Sequence, residues 1–126
     1  TRWIYDESSK ILFSSDMFSH IWSDFENSPW QIGNNETDPV TDFKFVRSYL
    51  LNTRYWWIEG AHTKPIRNAI DDIYTRFNIQ TIAPGYGTIL RGRNHVVNQF
   101  KVLDEVLEKL DRQHILPAYV PRGLER

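Results

Sequence analysis

Between Asn94 and Leu110, the apolar residues Val96, Phe100, Leu103, Leu107 and Leu110 recur in steps of four, three, four and three. That spacing places all five side chains on one stripe of an α-helix. Asn94 stands where a helix cap belongs. This is the clearest helix in the chain, and its stripe needs a layer to pack on.

The other segments supply candidates for that layer. "TRWIY", "DESSK" and "ILFSS" read as strand, polar turn and strand, so a hairpin is expected. "DMFSHIWSDFENSPW" is apolar but irregular, with Pro29 ending any helical turn, and "QIGNNETD" is a loop by composition. From Pro39 to about Trp57 the spacing predicts a helix, with Val40, Phe43, Val46, Leu50 and Leu51 in three- and four-residue steps. Asp38 is its expected cap, and Pro39 takes the first helical position. A second helix is expected from Thr63, with Pro65 in its first turn and Ile66, Ala69, Ile70, Ile73 and Phe77 on one face. "IQTIAPGYGTIL" reads as a strand, a glycine-flanked turn and a short extended piece, and residues 115–126 read as an extended tail. The expected order is strand, strand, helix, helix, strand, helix: one α/β domain over residues 1–126.

Charge and composition narrow the function classes. Fifteen basic and sixteen acidic residues give a net charge of -1, which argues against nucleic acid as the main partner. The chain has no cysteine, so it offers no disulfide, thiolate nucleophile or iron–sulfur ligation. Any chemistry must come from histidine, carboxylates, tyrosine and backbone. No apolar run approaches the ~20 residues that span a bilayer, and no signal-peptide pattern is visible, so a cytoplasmic protein without membrane contact is expected. The start at Thr1, directly in a strand-like "RWIY", suggests a fragment or processed product.

Two segments, "YDESSKILFSSDMF" and "IQTIAPGYGTILRG", together resemble the metallo-β-lactamase-fold proteins, especially flavodiiron and oxygen-binding di-iron proteins. In that family a strand of the first type ends in an aspartate bridging two metals, and a segment of the second type carries a histidine on the second metal. The resemblance implies half of an αββα sandwich, the C-terminal half, because the upstream His-x-Glu-x-Asp-His ligands have no counterpart here. It implies Asp16 as the bridging carboxylate and two non-haem irons that bind, sense or reduce dioxygen or nitric oxide. Tyr86 occupies the position of the family's late histidine. No flavodoxin-like segment, and hence no FMN site, is present. A zinc-dependent hydrolase of the same fold and a metal-free pseudo-domain acting as an interaction surface are the alternatives.

Each residue also has a plainer reading. A carboxylate can bridge two cations ~3.5–4 Å apart, but an aspartate after a strand is also a common helix cap. Tyr86 could ligate iron as phenolate, donate a hydrogen bond to a bound oxygen species as a catalytic group, or plug a degenerate site. His20 reads as a surface or pocket-lining residue. His62, His95 and His114 read as structural. The tryptophans read as core and pocket lining, except that Trp56 and Trp57 are adjacent and cannot both face one core from a helix. "RGR", including Arg91, reads as a solvated loop.

A half-sandwich leaves one sheet face and its edges open to water. Burying such a face is worth about 25 cal/mol per Å². The expected partner is therefore a missing N-terminal half, another chain completing the fold, or a second copy of this chain.

Overall fold

The structure, a computed structural model, describes residues 2–22 and 30–115. β1 (Ile4–Asp6) and β2 (Ile11–Phe13) form the expected hairpin, paired antiparallel with Tyr5 opposite Leu12. β4 (Thr81–Ala83) and β5 (Ile89–Arg91) form a second one. β3 (Gln31–Ile32) pairs parallel to β5, inside the segment that composition assigns to a loop. Its pairing with Ile89 and Leu90 is non-local, and two residues carry too little pattern to announce a strand.

The five strands make one mixed sheet in the order β1-β2-β4-β5-β3, with β2 and β4 parallel. One row of side chains runs across it: Tyr5, Leu12, Ile82, Leu90 and Ile32 are register partners in turn. Leu12, Ile82, Leu90 and Ile32 are buried in the core. The cover over that row is α3 (Arg93–Leu110), which packs on β4 and β5 and also meets α1 (Phe43–Leu51) and α2 (Lys64–Arg76). All five stripe residues of α3 are buried. The helix does not start on Asn94, however. Gly92 holds the cap position at φ 119, where an added Cβ would come within 2.9 Å of Asn34 Cα. Asn94 instead donates from its side chain to the Asn34 carbonyl.

The middle helix is shorter than its spacing suggests. Asp42, not Asp38, caps α1 by accepting the Phe45 N–H at 2.8 Å, and the helix stops at Leu51. Asp38 closes a turn before it, accepting from the N–H groups of Val40 and Thr41. Trp56 and Trp57 lie on a separate 3-10 turn (Trp56–Ile58), so both can point outward, at 69% and 51% exposure. α2 begins after Thr63 as expected, but the Thr63 hydroxyl donates to the Leu107 carbonyl of α3 rather than capping its own helix. A short α4 (Arg112–Ile115) follows, and the expected tail falls almost wholly outside the described residues.

Helices cover one face of the sheet. The alternate side chains project to the other face: Ile4, Ile11, Phe13, Ala83 and Ile89, with Asp6, Thr81 and Arg91 beside them. Ile4 is 65% exposed and Phe13 44%. No described helix lies against them, and this half-covered sheet is what positions everything below. The mixed α/β class stands, while the more specific metallo-β-lactamase half-sandwich is not established by this architecture.

Candidate functional site: the strand-end loops around Tyr86

Because β2 and β4 run parallel, the loops that leave them, residues 14–21 and 84–88, emerge at the same edge. Backbone hydrogen bonds zip the two together. The Ser14 N–H donates to the Ala83 carbonyl, Gly85 N–H to Ser15 at 2.7 Å, and Thr88 N–H to Ile21 at 2.7 Å. Gly87, at φ 88, makes the close approach possible, since a Cβ there would sit 2.7 Å from the Ile21 carbonyl oxygen. Ser15 and Phe18 both adopt left-handed backbone, at φ 53 and 64. Such conformations persist where the surroundings over-determine them. Here Phe18 is locked by Trp3 and Phe100, 5.7 and 5.1 Å away between ring centres, and the Ser14 hydroxyl donates to Met17.

The loops bring the Asp16 and Tyr86 segments together, seventy residues apart in the chain. The two side chains have other partners. Asp16 faces the Arg54 guanidinium at 3.6 Å, and no helix starts in the described residues directly after it, 17–22, so it caps none there. The Tyr86 hydroxyl lies 2.5 Å from that of Tyr49 on α1. Burial, reinforced by that hydrogen bond, pushes the Tyr49 phenol above its usual range. Within the pair, one hydroxyl donates to the other. Around them, Trp22, Phe45 and Asn52 complete an open, aromatic depression of about 430 Å³.

Beneath this depression lies His20, only 3% exposed, with its ring 6.0 Å from both Phe45 and Tyr49. Its Nε2 is 2.8 Å from the Thr41 hydroxyl. The Gln99 amide donates to that same hydroxyl and to Asp38. Burial, only partly opposed by the Asp38 charge, lowers the His20 pKa to about 4. The ring is neutral at pH 7, and the Thr41 hydroxyl, already accepting from Gln99, can give its proton to Nε2. His20 is thus a buried, hydrogen-bonded support for Tyr49 rather than a surface histidine.

The remaining histidines divide. His95 is buried and donates from Nε2 to the Gly33 carbonyl, which ties α3 to the end of β3. His62 lies 3.7 Å from Asp111, the carboxylate that accepts the Thr63 N–H between α2 and α3. Arg91 is exposed on the open sheet face, whereas its neighbour Arg93 turns inward to the Ile79 carbonyl and over the Tyr74 ring.

These placements correct the two-iron reading. No group of three or more His, Cys, Asp or Glu side chains that could hold a metal exists among the described residues. Asp16 is paired with a cation, and Tyr86 is bonded to another phenol whose proton is held more firmly than usual. A catalytic zinc site takes three protein ligands, so the zinc-hydrolase alternative meets the same shortage. Sequence reasoning missed Tyr49 and the burial of His20. Neither has a local signal, because α1 brings Tyr49 over the loops only in the folded chain.

No family model matches the chain, and no curated protein matches it. Among solved structures, the chain is similar to the apo state of a chemotaxis sensor, ODP, from T. denticola, at 21% identity and a TM-score of 0.43. That match covers 93% of this chain and 42% of the other, so the chain spans about two-fifths of the length of that structure. The absence of a metal-holding donor group among the described residues is what counts against the metallo-β-lactamase assignment and its di-iron, oxygen-handling function.

Proposed function

We propose that this chain is a docking domain whose open sheet face binds a second β-sheet with an apolar inner surface. In this reading the loops carrying Asp16 and Tyr86 form one wall of whatever the two layers enclose at that edge. The observation that carries it is the row Ile4, Phe13, Ala83, which faces away from the helices with Ile4 largely and Phe13 nearly half in water. An antiparallel hairpin exposed on its outer side normally alternates apolar and polar residues. Here both sides of β2 are apolar: Leu12 inward, Ile11 and Phe13 outward. Contiguous exposed apolar surface of this kind marks an interaction site, and sheets stack face to face about 10 Å apart by interdigitating such rows.

The test is binding of an environment-sensitive apolar dye to the 126-residue chain, compared with Ile4→Lys/Phe13→Lys. At dilutions where the chain is monomeric, the expected result is strong dye fluorescence that the double variant loses while its circular dichroism is unchanged. Equal fluorescence from the two proteins contradicts the reading.

A further inference from the structure

The open face carries its charges in an ordered way. Asp6, Ile11, Thr81 and Arg91 are register partners in succession, so one row runs across β1, β2, β4 and β5 from an acid to a base. The next row holds Ile4, Phe13 and Ala83, and the antiparallel register of β4 and β5 brings Ile89 into line after them. Leaving aside β3, the two-residue strand at the far edge beyond β5, the four strands have a pseudo-centre between β2 and β4. A two-fold axis along the strands at that point exchanges β1 with β5 and β2 with β4.

Applied face to face, that rotation sets Asp6 of one copy against Arg91 of the other, twice. It sets Ile4 against Ile89, and the large Phe13 against the small Ala83. The face is therefore complementary to itself in charge and in side-chain size, as an isologous dimer requires, while the same rotation sets Ile11 against Thr81. Asp6 is held in place for this contact, since its carboxylate accepts from the Ser8 hydroxyl and the Ser9 N–H. Glu7 and Lys10, the other charges of the hairpin turn, line a depression with Tyr5, Leu12 and Arg76 on the helix side and do not compete.

We infer that the second sheet is supplied by another copy of this chain, seated by reciprocal Asp6–Arg91 ion pairs across a Phe13–Ala83 core. The inference rests on the docking reading above and names its partner.

Sedimentation velocity on the wild type, D6R, R91D and an equimolar mixture of the two variants tests it. The wild type should be a dimer. Each variant alone places like charges together twice and should weaken the dimer at least tenfold. The mixture restores both opposite-charge contacts and should form a heterodimer. If D6R loses its circular dichroism, because Asp6 also holds the hairpin turn, R91D alone decides. A wild type that stays monomeric yet binds the apolar dye overturns the second copy as occupant and leaves the docking face standing. Variants that dimerise as well as wild type overturn the ion-pair geometry, and a monomer that binds no dye overturns both readings.

Discussion

The Tyr86 hydroxyl, on the loop after β4, lies 2.5 Å from the Tyr49 hydroxyl on α1. This contact ties the strand-end loops to the helical layer at the edge where the open sheet face ends. Replacing either tyrosine by phenylalanine removes it, and a hydrogen bond of this sort contributes about 1 kcal/mol. Urea unfolding of Tyr86→Phe should show a loss of that order. The same substitution should bring the Tyr49 ionisation down toward the ordinary phenol range, because one of the causes holding it up is gone. A phenolate absorbance titration reads this directly. A raised folded pKa adds stability below the unfolded value near ~10, and that contribution fades as pH rises further.

His20 sets the acid response. Its folded pKa of about 4 lies below the ordinary histidine value of 6.5, so the unfolded chain takes up its proton first as pH falls. Stability should therefore be full above about 6.5 and drop between there and about 4, by about 3 kcal/mol for this group. His20→Gln should flatten that window in a pH series of urea midpoints. Asp6 and Asp111 have carboxyls held below their usual range, Asp6 chiefly by the Ser9 hydroxyl and Asp111 by the Gln113 N–H. Their contributions are present above the ordinary carboxylate range and vanish only at lower pH, so the two effects separate on the pH axis.

Gly87 is the residue on which the loop zipper depends. At φ 88, with the Ile21 carbonyl 2.7 Å from the position of a Cβ, alanine meets both backbone strain and a clash. Gly87→Ala should cost more than about 1 kcal/mol in thermal or urea unfolding. Gly33→Ala makes a good control. It lacks the positive φ, and the atom an added methyl would meet belongs to the flexible Glu36 side chain, so its change should stay within about 0.5 kcal/mol.

Leu90 tests the inner row. It is wholly buried between Ile82 and Ile32, with α3 packed on its strand. Leu90→Ala should destabilise by about 2–5 kcal/mol. Phe13→Lys, one register step away on the opposite face, should leave the unfolding midpoint of the dilute chain nearly unchanged.

Elements with long local periodicity were legible in the sequence. The α3 stripe from Val96 to Leu110, the Thr63 start of α2 and the first hairpin all follow from spacing that any register preserves. Boundaries set by a choice between near neighbours were not. The spacing points to Asp38 as the cap, whereas the Phe45 N–H bonds to Asp42 four residues on. β3 exists because residue 31 meets residue 89, which no window of the sequence contains. At the site, the two quoted segments do lie side by side, yet the resemblance suggested a metal centre that the surrounding donors do not supply. Adjacency of two loops follows from parallel strands alone, whereas a metal needs a third and fourth donor that tertiary folding must deliver.

The open face is the central claim, and the accessibility of its methyl groups tests it most directly. Solvent paramagnetic relaxation of isoleucine methyls compares Ile4 and Ile89 on the outer face with Ile82, which is fully buried on the inner one. At dilutions where the chain is monomeric, Ile4 should relax strongly and Ile82 hardly at all. On association Ile4 and Ile89 should become protected together. Protection of Ile4 equal to that of Ile82 in the monomer, or undiminished exposure of Ile4 in the assembly, contradicts the account.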